Sequence, residues 1–309
     1  MKAAVCARYG PPEVLQVQDV DDPVPGARDV LIRIGAAAVT PSDCYIRSAI
    51  PTAPLVMRLM ARVAIGFTRP RRPILGAVLA GQIDAIGRKV TQFQVGDRVW
   101  AFTTLRMGCY AQRISLPAAV KLLTPAPSNL SDEEAAAIPY GGLMAMHFLG
   151  KAKIERGQQV LVYGASGANG TCALQIAKQR GADVTAVCST TNVELMRFLG
   201  ADTVLDYTKD PASALGRYDV VFDAVGRRKT SPMKVAARNA LTPAGRFISV
   251  DEALPRFRRD DLIRLRELAE AGTLKPVIDR RYPLERIAEA HRYVEQGHKK
   301  GNVIVTVAD

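Results

Sequence analysis

The stretch Gln159–Gly170, QVLVYGASGANG, decides the fold of this 309-residue chain. Its first five residues, Gln159–Tyr163, form a short apolar run, and a glycine-rich turn follows at once. The next segment, which ends near Arg180, has the length and apolar pattern of a helix. A strand, a glycine-rich turn and a helix in immediate succession predict a βαβ unit of the kind that binds dinucleotides.

The small residues of the turn follow the spacing G-x-G-x-x-G, with Ala165 in the first place, Gly167 in the second and Gly170 in the third. A glycine in the second place lets the backbone approach a pyrophosphate, and one in the third lets the helix pack closely on the strand. The helix N-terminus adds N–H donors and a partial positive charge. The predicted cofactor-binding residues of the turn are Gly164, Ala165, Ser166, Gly167, Ala168, Asn169 and Gly170. The alternative is a glycine-rich turn without a ligand.

Strands and helices continue to alternate after this turn. Strands are predicted at Asp183–Cys188, Thr203–Leu205, Asp219–Phe222 and Arg246–Val250, and a helix is predicted at Val193–Leu199. Such alternation is typical of an α/β fold with a doubly wound parallel sheet.

The region before the turn has a different pattern. Apolar runs at Val30–Ile34, Ala77–Ile86 and Arg98–Phe102 are separated by Gly, Pro and Asp turns, which predicts a β-rich region. The sequence Ser131–Glu134, SDEE, is a capping box and predicts the start of a helix.

Composition limits the class of protein. The chain has 42 Lys and Arg against 30 Asp and Glu, a formal net charge of +12, and 48% of its residues are hydrophobic. That content supports a folded core and argues against disorder. The basic residues are scattered, so nucleic-acid binding is kept only as an alternative. No apolar run is long enough for a signal peptide or a membrane span, so we expect a cytoplasmic protein without a transmembrane segment.

The end of the second strand bears on the choice between NADH and NADPH. Enzymes that use NAD carry Asp or Glu there to bind the ribose hydroxyls. The segment Val187–Asn192, VCSTTN, has no acid and offers hydroxyl and amide donors, which favours the 2′-phosphate of NADPH. Arg197, Arg227 and Arg228 either reach this phosphate or are solvated surface charges.

The order of motifs over essentially the whole chain resembles the medium-chain dehydrogenase/reductase superfamily, on its zinc-free, zeta-crystallin-like quinone oxidoreductase branch. The motifs that carry the resemblance are Met1–Leu15, Ala36–Arg47, Gly76–Gly87, Gly96–Val99, Val160–Gly170, Leu199–Tyr207 (LGADTVLDY), Tyr218–Gly226 (YDVVFDAVG) and Pro283–Asp309. The resemblance implies NADPH-dependent reduction of a quinone or an α,β-unsaturated carbonyl.

The resemblance also implies two domains. Residues 1–122, completed by 275–309, would form a GroES-like, β-rich catalytic domain, and residues 123–274 would form a Rossmann domain that binds NADP(H). The active site would lie in the cleft between them. A homodimer is common in the family. The region between Val250 and Asp260 is short, which reduces the usual dimer surface, so a monomer is the alternative.

Matching motif positions assign parts of the cofactor to single residues. Gly164–Gly170 would hold the pyrophosphate. Residues further along the chain would contact the rest of the cofactor: Ser189 and Asn192 the 2′-phosphate, Tyr207 the adenine or its ribose, and Val225 and Gly226 the nicotinamide-side ribose. Tyr45 would line the nicotinamide cleft.

A metal site is not expected. Zinc-dependent members of the superfamily use two Cys and a His-Glu pair, whereas Val39–Asp43 offers no thiolate and Gly76–Val78 stands in place of Gly-His-Glu. The chain has only 3 His, and its 5 Cys form no CxxC pair. A catalytic zinc needs about three protein ligands, which these residues do not supply.

Without a metal, hydrogen bonds must polarise the substrate carbonyl, which suits hydride addition to a quinone or enone. The predicted substrate-contact residues are Tyr45 and Thr40, whereas Arg47 is expected to form a structural ion pair. No residue is singled out as an essential proton donor. The alternative function is an NADPH-binding redox sensor with little turnover.

The basic segment Pro54–Ile65, PLVMRLMARVAI, places Arg58 and Arg62 on one face of a predicted helix. Three interpretations of it are kept: a packed helix with solvated arginines, a Met-rich lid that adapts to apolar substrates, and a membrane-surface helix.

Overall fold

The computed structural model describes residues 1–49, 62–63, 65–226, 230–252 and 254–307. The chain divides into two compact units: unit 1 is Met1–Pro139 with Ile278–Asp309, and unit 2 is Tyr140–Val277. The predicted limits of the functional domains, at residues 122 and 274, stay a prediction. The helix predicted over Pro54–Ile65 lies almost entirely outside the described residues.

Both units combine strands and helices. The strands are β1 (Lys2–Cys6), β2 (Leu15–Asp19), β3 (Asp29–Val39), β4 (Val78–Ile86), β5 (Arg98–Phe102), β6 (Arg113–Pro117), β7 (Leu123–Pro125), β8 (Gln159–Tyr163), β9 (Asp183–Cys188), β10 (Thr203–Asp206), β11 (Tyr218–Asp223), β12 (Leu241–Ser249), β13 (Ile278–Pro283) and β14 (Asn302–Thr306). The α-helices are α1 (Pro41–Arg47), α2 (Asp132–Ala136), α3 (Pro139–Ala152), α4 (Ala168–Gln179), α5 (Val193–Phe198), α6 (Pro232–Asn239), α7 (Arg259–Glu270) and α8 (Ile287–Glu295).

Unit 2 contains a five-stranded sheet in the order β10-β9-β8-β11-β12. All of its neighbouring strands are parallel. The central strand β8 is buried after its first residue, as expected for an apolar strand covered on both faces. The chain adds strands first on one side of β8 and then on the other, so the predicted doubly wound parallel sheet is confirmed.

Unit 1 is built on a seven-stranded sheet in the order β13-β14-β3-β4-β5-β7, with β6 also paired to β3. Apart from the parallel pair β13 and β14, the strands of this sheet pair antiparallel. A separate two-stranded sheet joins β1 to β2. The core includes fully buried Ile32, Leu79 and Trp100, and the predicted β-rich character of this region is confirmed.

Two helices of the structure, α1 and α6, are absent from the sequence-based expectation. Each begins with a proline directly after a hydroxyl residue, Thr40 or Ser231, whose side chain accepts a hydrogen bond from a first-turn N–H. A proline is favourable in the first helical position because its missing N–H would have no partner there. The prolines were therefore helix starts and not the turns that they resemble in the sequence.

Candidate cofactor and substrate site

The glycine-rich turn after β8 is tied to the end of the next strand. The N–H groups of Gly164 and Ala165 both donate to the carbonyl oxygen of Val187 at 3.0 Å. Gly164 has a φ of +75°, which glycine adopts without a steric penalty. The turn therefore lies at the carboxyl ends of the parallel strands, beside the reversal in strand order, where sheets of this type bind ligands.

Gly167 is the N-cap residue of helix α4 and makes no side-chain cap. A Cβ added to Gly167 would have only the carbonyl oxygen of Gly164 nearby, at 3.7 Å, so the space over the helix N-terminus is open. The first-turn N–H groups have no acceptor within the helix, and the helix dipole favours an anion there. Backbone donors, a positive dipole and an open approach together fit a pyrophosphate.

Gly170 has the opposite surroundings. A Cβ at Gly170 would lie 2.6 Å from the Cα atom of Ala165 and closer still to the carbonyl oxygen of Gly164. No side chain fits that space, so this glycine is needed for close contact between α4 and the turn. The two glycines thus have the separate structural surroundings that the spacing predicts, and their contacts to a cofactor stay a prediction.

Asn192 connects the glycine-rich turn to the end of β9. Its side chain is 6% exposed, and Nδ2 donates to Ser189 Oγ at 3.0 Å and to Ser166 Oγ at 3.3 Å. Each serine accepts a hydrogen bond from this amide and keeps its own hydroxyl proton to donate elsewhere. The structure thus brings Ser189, Asn192 and Ser166 together, with the amide behind the two hydroxyl groups.

Asp206, at the end of β10, is a residue of this edge that sequence reasoning missed. It pairs with Cys188 of β9 in the sheet, and its carboxylate accepts hydrogen bonds from the hydroxyls of Thr190 and Thr208. Burial raises the pKa of Asp206, but the hydrogen bonds from Thr190 and Thr208 outweigh it, and the pKa lies below its usual value. The signal was the Asp of LGADTVLDY, which matters only once β10 is known to lie beside β9.

Tyr207 follows directly and is 41% exposed. Its N–H donates to the carbonyl oxygen of Cys188 at 3.0 Å, and its ring centroid lies 6.4 Å from that of Tyr163. The side chain is therefore held at the same edge as the turn, in a position open to a planar ligand.

The structure describes one of the three arginines that the sequence offers for a 2′-phosphate. Arg197 forms an exposed ion pair with Glu194 at 2.5 Å, three residues before it on the same helix. It is therefore a solvated surface charge in this structure. Arg227 and Arg228 lie outside the described residues.

The loop after β11 is organised by Asp223. Its Oδ1 accepts the N–H groups of Val225 and Gly226, both at 3.1 Å. Its Oδ2 accepts from Ser249 Oγ at 3.1 Å and forms an ion pair with Lys234 Nζ at 2.9 Å. These buried contacts determine the path of Val225 and Gly226. A pocket of about 220 Å³ opens beside this loop and is lined in part by Asp223, Gly226 and Lys234.

In unit 1, Thr40 is the N-cap of helix α1 and is buried. Its hydroxyl donates to Asp43 Oδ2 at 2.7 Å, and the same carboxylate oxygen accepts the N–H of Thr40 at 2.8 Å. The hydroxyl proton of Thr40 is therefore engaged within the helix. Tyr45 lies in the middle of α1 and is half-buried.

Arg47 forms the ion pair predicted for it, with Glu295 of α8. The side chain of Arg47 is 1% exposed and that of Glu295 is 36% exposed. The Nε and Nη1 atoms of Arg47 are buried with no hydrogen-bond partner among the described residues. This guanidinium therefore depends on a single carboxylate.

Further buried polar groups surround α1. Cys44 Sγ lies 3.4 Å from Nδ1 of His291, and the ring of His291 makes an edge contact with Tyr110 at 5.5 Å between centroids. Burial, with a smaller contribution from the Arg47 charge, lowers the pKa of His291 to about 3.

Burial raises the pKa of Asp43 to about 6, against hydrogen bonds from Thr40 that lower it. Burial also raises the pKa of the Cys44 thiol, so this thiol is not activated as a nucleophile.

Across the ranges that the structure describes, no group of three or more His, Cys, Asp or Glu side chains is arranged to hold a metal ion. Over the same ranges, every helix is too short or too polar to cross a membrane.

Comparison with known proteins assigns the family. The alcohol dehydrogenase GroES-like domain family matches residues 26–145, and two families described as zinc-binding dehydrogenase match residues 168–274 and 252–305. The NADPH-dependent alkenal/one oxidoreductase of Arabidopsis thaliana chloroplasts is 31% identical over 99% of this chain and 79% of its own length. The quinone oxidoreductase of Mus musculus is 30% identical over 99% of this chain and 97% of its own length.

A solved structure agrees with the fold. The quinone oxidoreductase from Coxiella burnetii has a TM-score of 0.84 and 24% identity, with 100% of this chain and 99% of that chain covered. The chain belongs to the medium-chain dehydrogenase/reductase superfamily, oxidoreductases that use a nicotinamide cofactor. The predicted family, the GroES-like and Rossmann fold class and the oxidoreductase class are confirmed.

Proposed function

We propose that this protein transfers hydride from NADPH to a quinone or an α,β-unsaturated carbonyl compound, without a metal ion. The observation that carries the proposal is the open, uncapped N-terminus of α4 at Gly167, set in a doubly wound sheet. The named activities of the relatives from Arabidopsis thaliana and Mus musculus support the same substrate class.

The chain's contribution to cofactor binding is divided among four segments. Gly164–Gly170 holds the pyrophosphate through the backbone N–H groups at the start of α4, and Ser189, oriented by Asn192, donates to the 2′-phosphate. Tyr207 packs beside the adenine or its ribose. Val225 and Gly226, shaped by the buried Asp223, lie beside the nicotinamide-side ribose. When bound, the cofactor supplies the hydride.

On the substrate side, Tyr45 is the residue proposed to contact the carbonyl oxygen. Its phenol can donate a hydrogen bond to an oxygen that gains negative charge during hydride addition. Thr40 is assigned an indirect role, because its hydroxyl proton is engaged by Asp43 and the residue determines where α1 begins. Binding of NADPH in preference to NADH rests on the donors Ser189 and Asn192. We also propose a homodimer and a cytoplasmic location.

The test is oxidation of NADPH by chelator-treated protein, with a 2-alkenal and an ortho-quinone as acceptors and NADH in parallel. We expect turnover with NADPH that chelation does not diminish. Tyr45→Phe should lower kcat about tenfold, the effect of removing one hydrogen bond to a developing charge. Tyr293→Phe is the matched control, because the Tyr293 hydroxyl donates to Asp279 at 2.6 Å in the same unit, and it should leave kcat unchanged.

Loss of turnover on chelation would contradict the metal-free reaction. NADPH binding without turnover on either acceptor would favour the sensor function instead. Equal activity of the Tyr45→Phe and Tyr293→Phe variants would remove Tyr45 from the reaction.

A further inference from the structure

The carboxyl end of the parallel sheet, where β9 and β10 end, carries two groups of side chains. One group can donate hydrogen bonds to a ligand, and the other can accept them. The Asn192 group consists of Asn192, Ser189 and Ser166. Both of its serine hydroxyls accept from the Asn192 amide, so both keep a proton to donate outward. Such a group suits an anion, because a phosphate oxygen only accepts hydrogen bonds.

The Asp206 group consists of Asp206, Thr190 and Thr208. Thr208 Oγ1 donates to Asp206 Oδ1 at 2.6 Å, Thr190 Oγ1 donates to Asp206 Oδ2, and the two threonine hydroxyls lie 3.0 Å apart. A hydroxyl has a single proton, so each threonine that gives its proton to the carboxylate offers only lone pairs to other partners. Such a group suits a hydroxyl donor and not a phosphate.

The carboxylate at the centre of this group is charged at neutral pH. Its hydrogen bonds from Thr190 and Thr208 outweigh the effect of burial and hold the pKa of Asp206 below its usual value. The nearest charged neighbours in sequence are Lys209 and, four residues away on either side, Asp202 and Asp210. Asp202 is paired with Lys178 at 2.6 Å. The N–H of Asp206 donates to Asp210 Oδ2 at 2.7 Å, so Asp210 is also held in this loop.

Sheet topology puts this charge next to the end of β9, where the proposed function places the adenine-side ribose. Parallel strands end at one edge, and Asp206 pairs in register with Cys188, the last residue of β9. Thr190 follows Cys188 by two residues and is exposed. Its hydroxyl, directed to Asp206, therefore lies in the same short segment as Ser189, the proposed partner of the 2′-phosphate.

We propose that Asp206 is a specificity-determining residue that weakens the preference for a 2′-phosphate, so that the cofactor site accepts a free 2′-hydroxyl as well. The negative charge repels the phosphate, and the threonine hydroxyls turned toward it accept from a ribose hydroxyl. The inference rests on the proposed function, since it concerns the same cofactor site. It predicts that the donors of the Asn192 group and the acceptors of the Asp206 group act in opposition.

The test is calorimetric titration of the full-length protein with 2′,5′-ADP and with 5′-AMP, two fragments that differ only in the 2′-phosphate. The quantity measured is the ratio of the two dissociation constants, 5′-AMP over 2′,5′-ADP. Asp206→Asn should raise this ratio about fivefold to tenfold at low salt, from the loss of one nearby like charge. The increase should shrink as ionic strength rises, because salt already screens the 2′-phosphate from the Asp206 carboxylate in the wild-type protein.

Asp183→Asn is the matched control. Asp183 begins β9 and so lies at the opposite edge of the same sheet, and the substitution changes the net charge by the same amount. It should leave the ratio within about twofold of the wild-type value, because the six residues of β9 separate Asp183 from that end of the sheet by roughly 17 Å, and two unit charges that far apart in water interact by only about 0.2 kcal/mol.

Thr190→Val gives an independent test that does not depend on the folding of an Asp206 variant, because Thr190 is exposed. Removing this acceptor should weaken binding of 5′-AMP about threefold, the loss of one hydrogen bond, and should not strengthen binding of 2′,5′-ADP. Binding of both fragments with an unchanged ratio in Asp206→Asn and in Thr190→Val would overturn the inference. Failure of the wild-type protein to bind either fragment would instead contradict the proposed cofactor site.

Discussion

The glycine-rich turn after β8 and the helix α1 are both expected to serve the reaction, and they are built in opposite ways. The turn offers backbone: Gly167 leaves open space over a helix N-terminus, and no side chain caps it. Helix α1 engages its side chains in the fold, with Thr40 in a capping box and the buried Arg47 paired to Glu295.

Substitutions in these two segments should therefore change different properties of the protein. In the turn, a substitution at the right place should change ligand binding and leave the fold intact. In α1, the same kind of substitution should first change the free energy of unfolding, because buried polar groups there lose their partners.

The largest effect is expected for Glu295→Gln. It leaves the Arg47 guanidinium, 1% exposed, without its carboxylate. Removing one partner of a buried ion pair costs about 3–5 kcal/mol, and we expect the lower end because Glu295 is partly exposed. Urea unfolding measures the loss.

The control for this change is Glu267→Gln. Glu267 pairs with Arg264 on α7 at 2.8 Å, and both side chains are 49% exposed. A surface pair of this kind contributes roughly 0.5 kcal/mol. Equal losses for the two variants would contradict a special role for the Arg47 pair.

The second prediction concerns Gly170→Ala. Its methyl group would overlap the backbone of Gly164 and Ala165, so the unfolding free energy should fall by about 2–3 kcal/mol. Gly167→Ala should change the unfolding free energy by less than about 0.5 kcal/mol, because its φ of −79° and open surroundings accept a methyl group. Thermal unfolding of both variants measures this. A larger loss at Gly167 than at Gly170 would reverse the assignment of the two glycines.

The third prediction is a pH dependence in which two buried groups oppose each other. Asp43 has a folded pKa of about 6, above its usual value, so folded protein holds a proton that the unfolded chain has released, and stability falls as pH rises from 4 to 6. His291 has a folded pKa of about 3, below its usual value, so the unfolded chain holds the extra proton and stability rises over the same range.

Substituting each residue separately should show its contribution to the pH dependence of the unfolding free energy. Asp43→Asn should make the slope of unfolding free energy against pH more positive, and His291→Gln should make it more negative, each by about 1 kcal/mol per pH unit. Chemical unfolding at several pH values between 4 and 6 measures both slopes. Slopes that change in the same direction would contradict the burial of one of the two groups.

Much of the fold could be predicted from the sequence because its signals are local. The strands β5, β8 and β9 have the predicted limits, since apolar runs end there at Gly, Asp or polar residues. The capping box at Ser131 marks the start of α2 as expected. Helix α1 was missed because its proline resembles a turn until the hydroxyl of Thr40 is seen to cap it.

The candidate site likewise has some features that the sequence predicts and others that it does not. The conformation of the turn was predictable, since it depends on the backbone and on glycine spacing. Asp206 was not, because only the order of β9 and β10 in the sheet brings it to the edge. The direction of the Asn192 amide and the engagement of the Thr40 hydroxyl depend on side-chain packing, which no spacing in the sequence encodes.

The most direct test of cofactor binding by the glycine-rich turn is NADPH binding to the wild-type protein and to Gly167→Ala, measured by calorimetry with thermal unfolding of both. We expect the two proteins to unfold at nearly the same temperature. We also expect the variant to bind NADPH about 10- to 100-fold more weakly, because a methyl group displaces the phosphate from charge-assisted N–H bonds. Equal affinity in two equally stable proteins would contradict the claim that the backbone of this turn holds the cofactor.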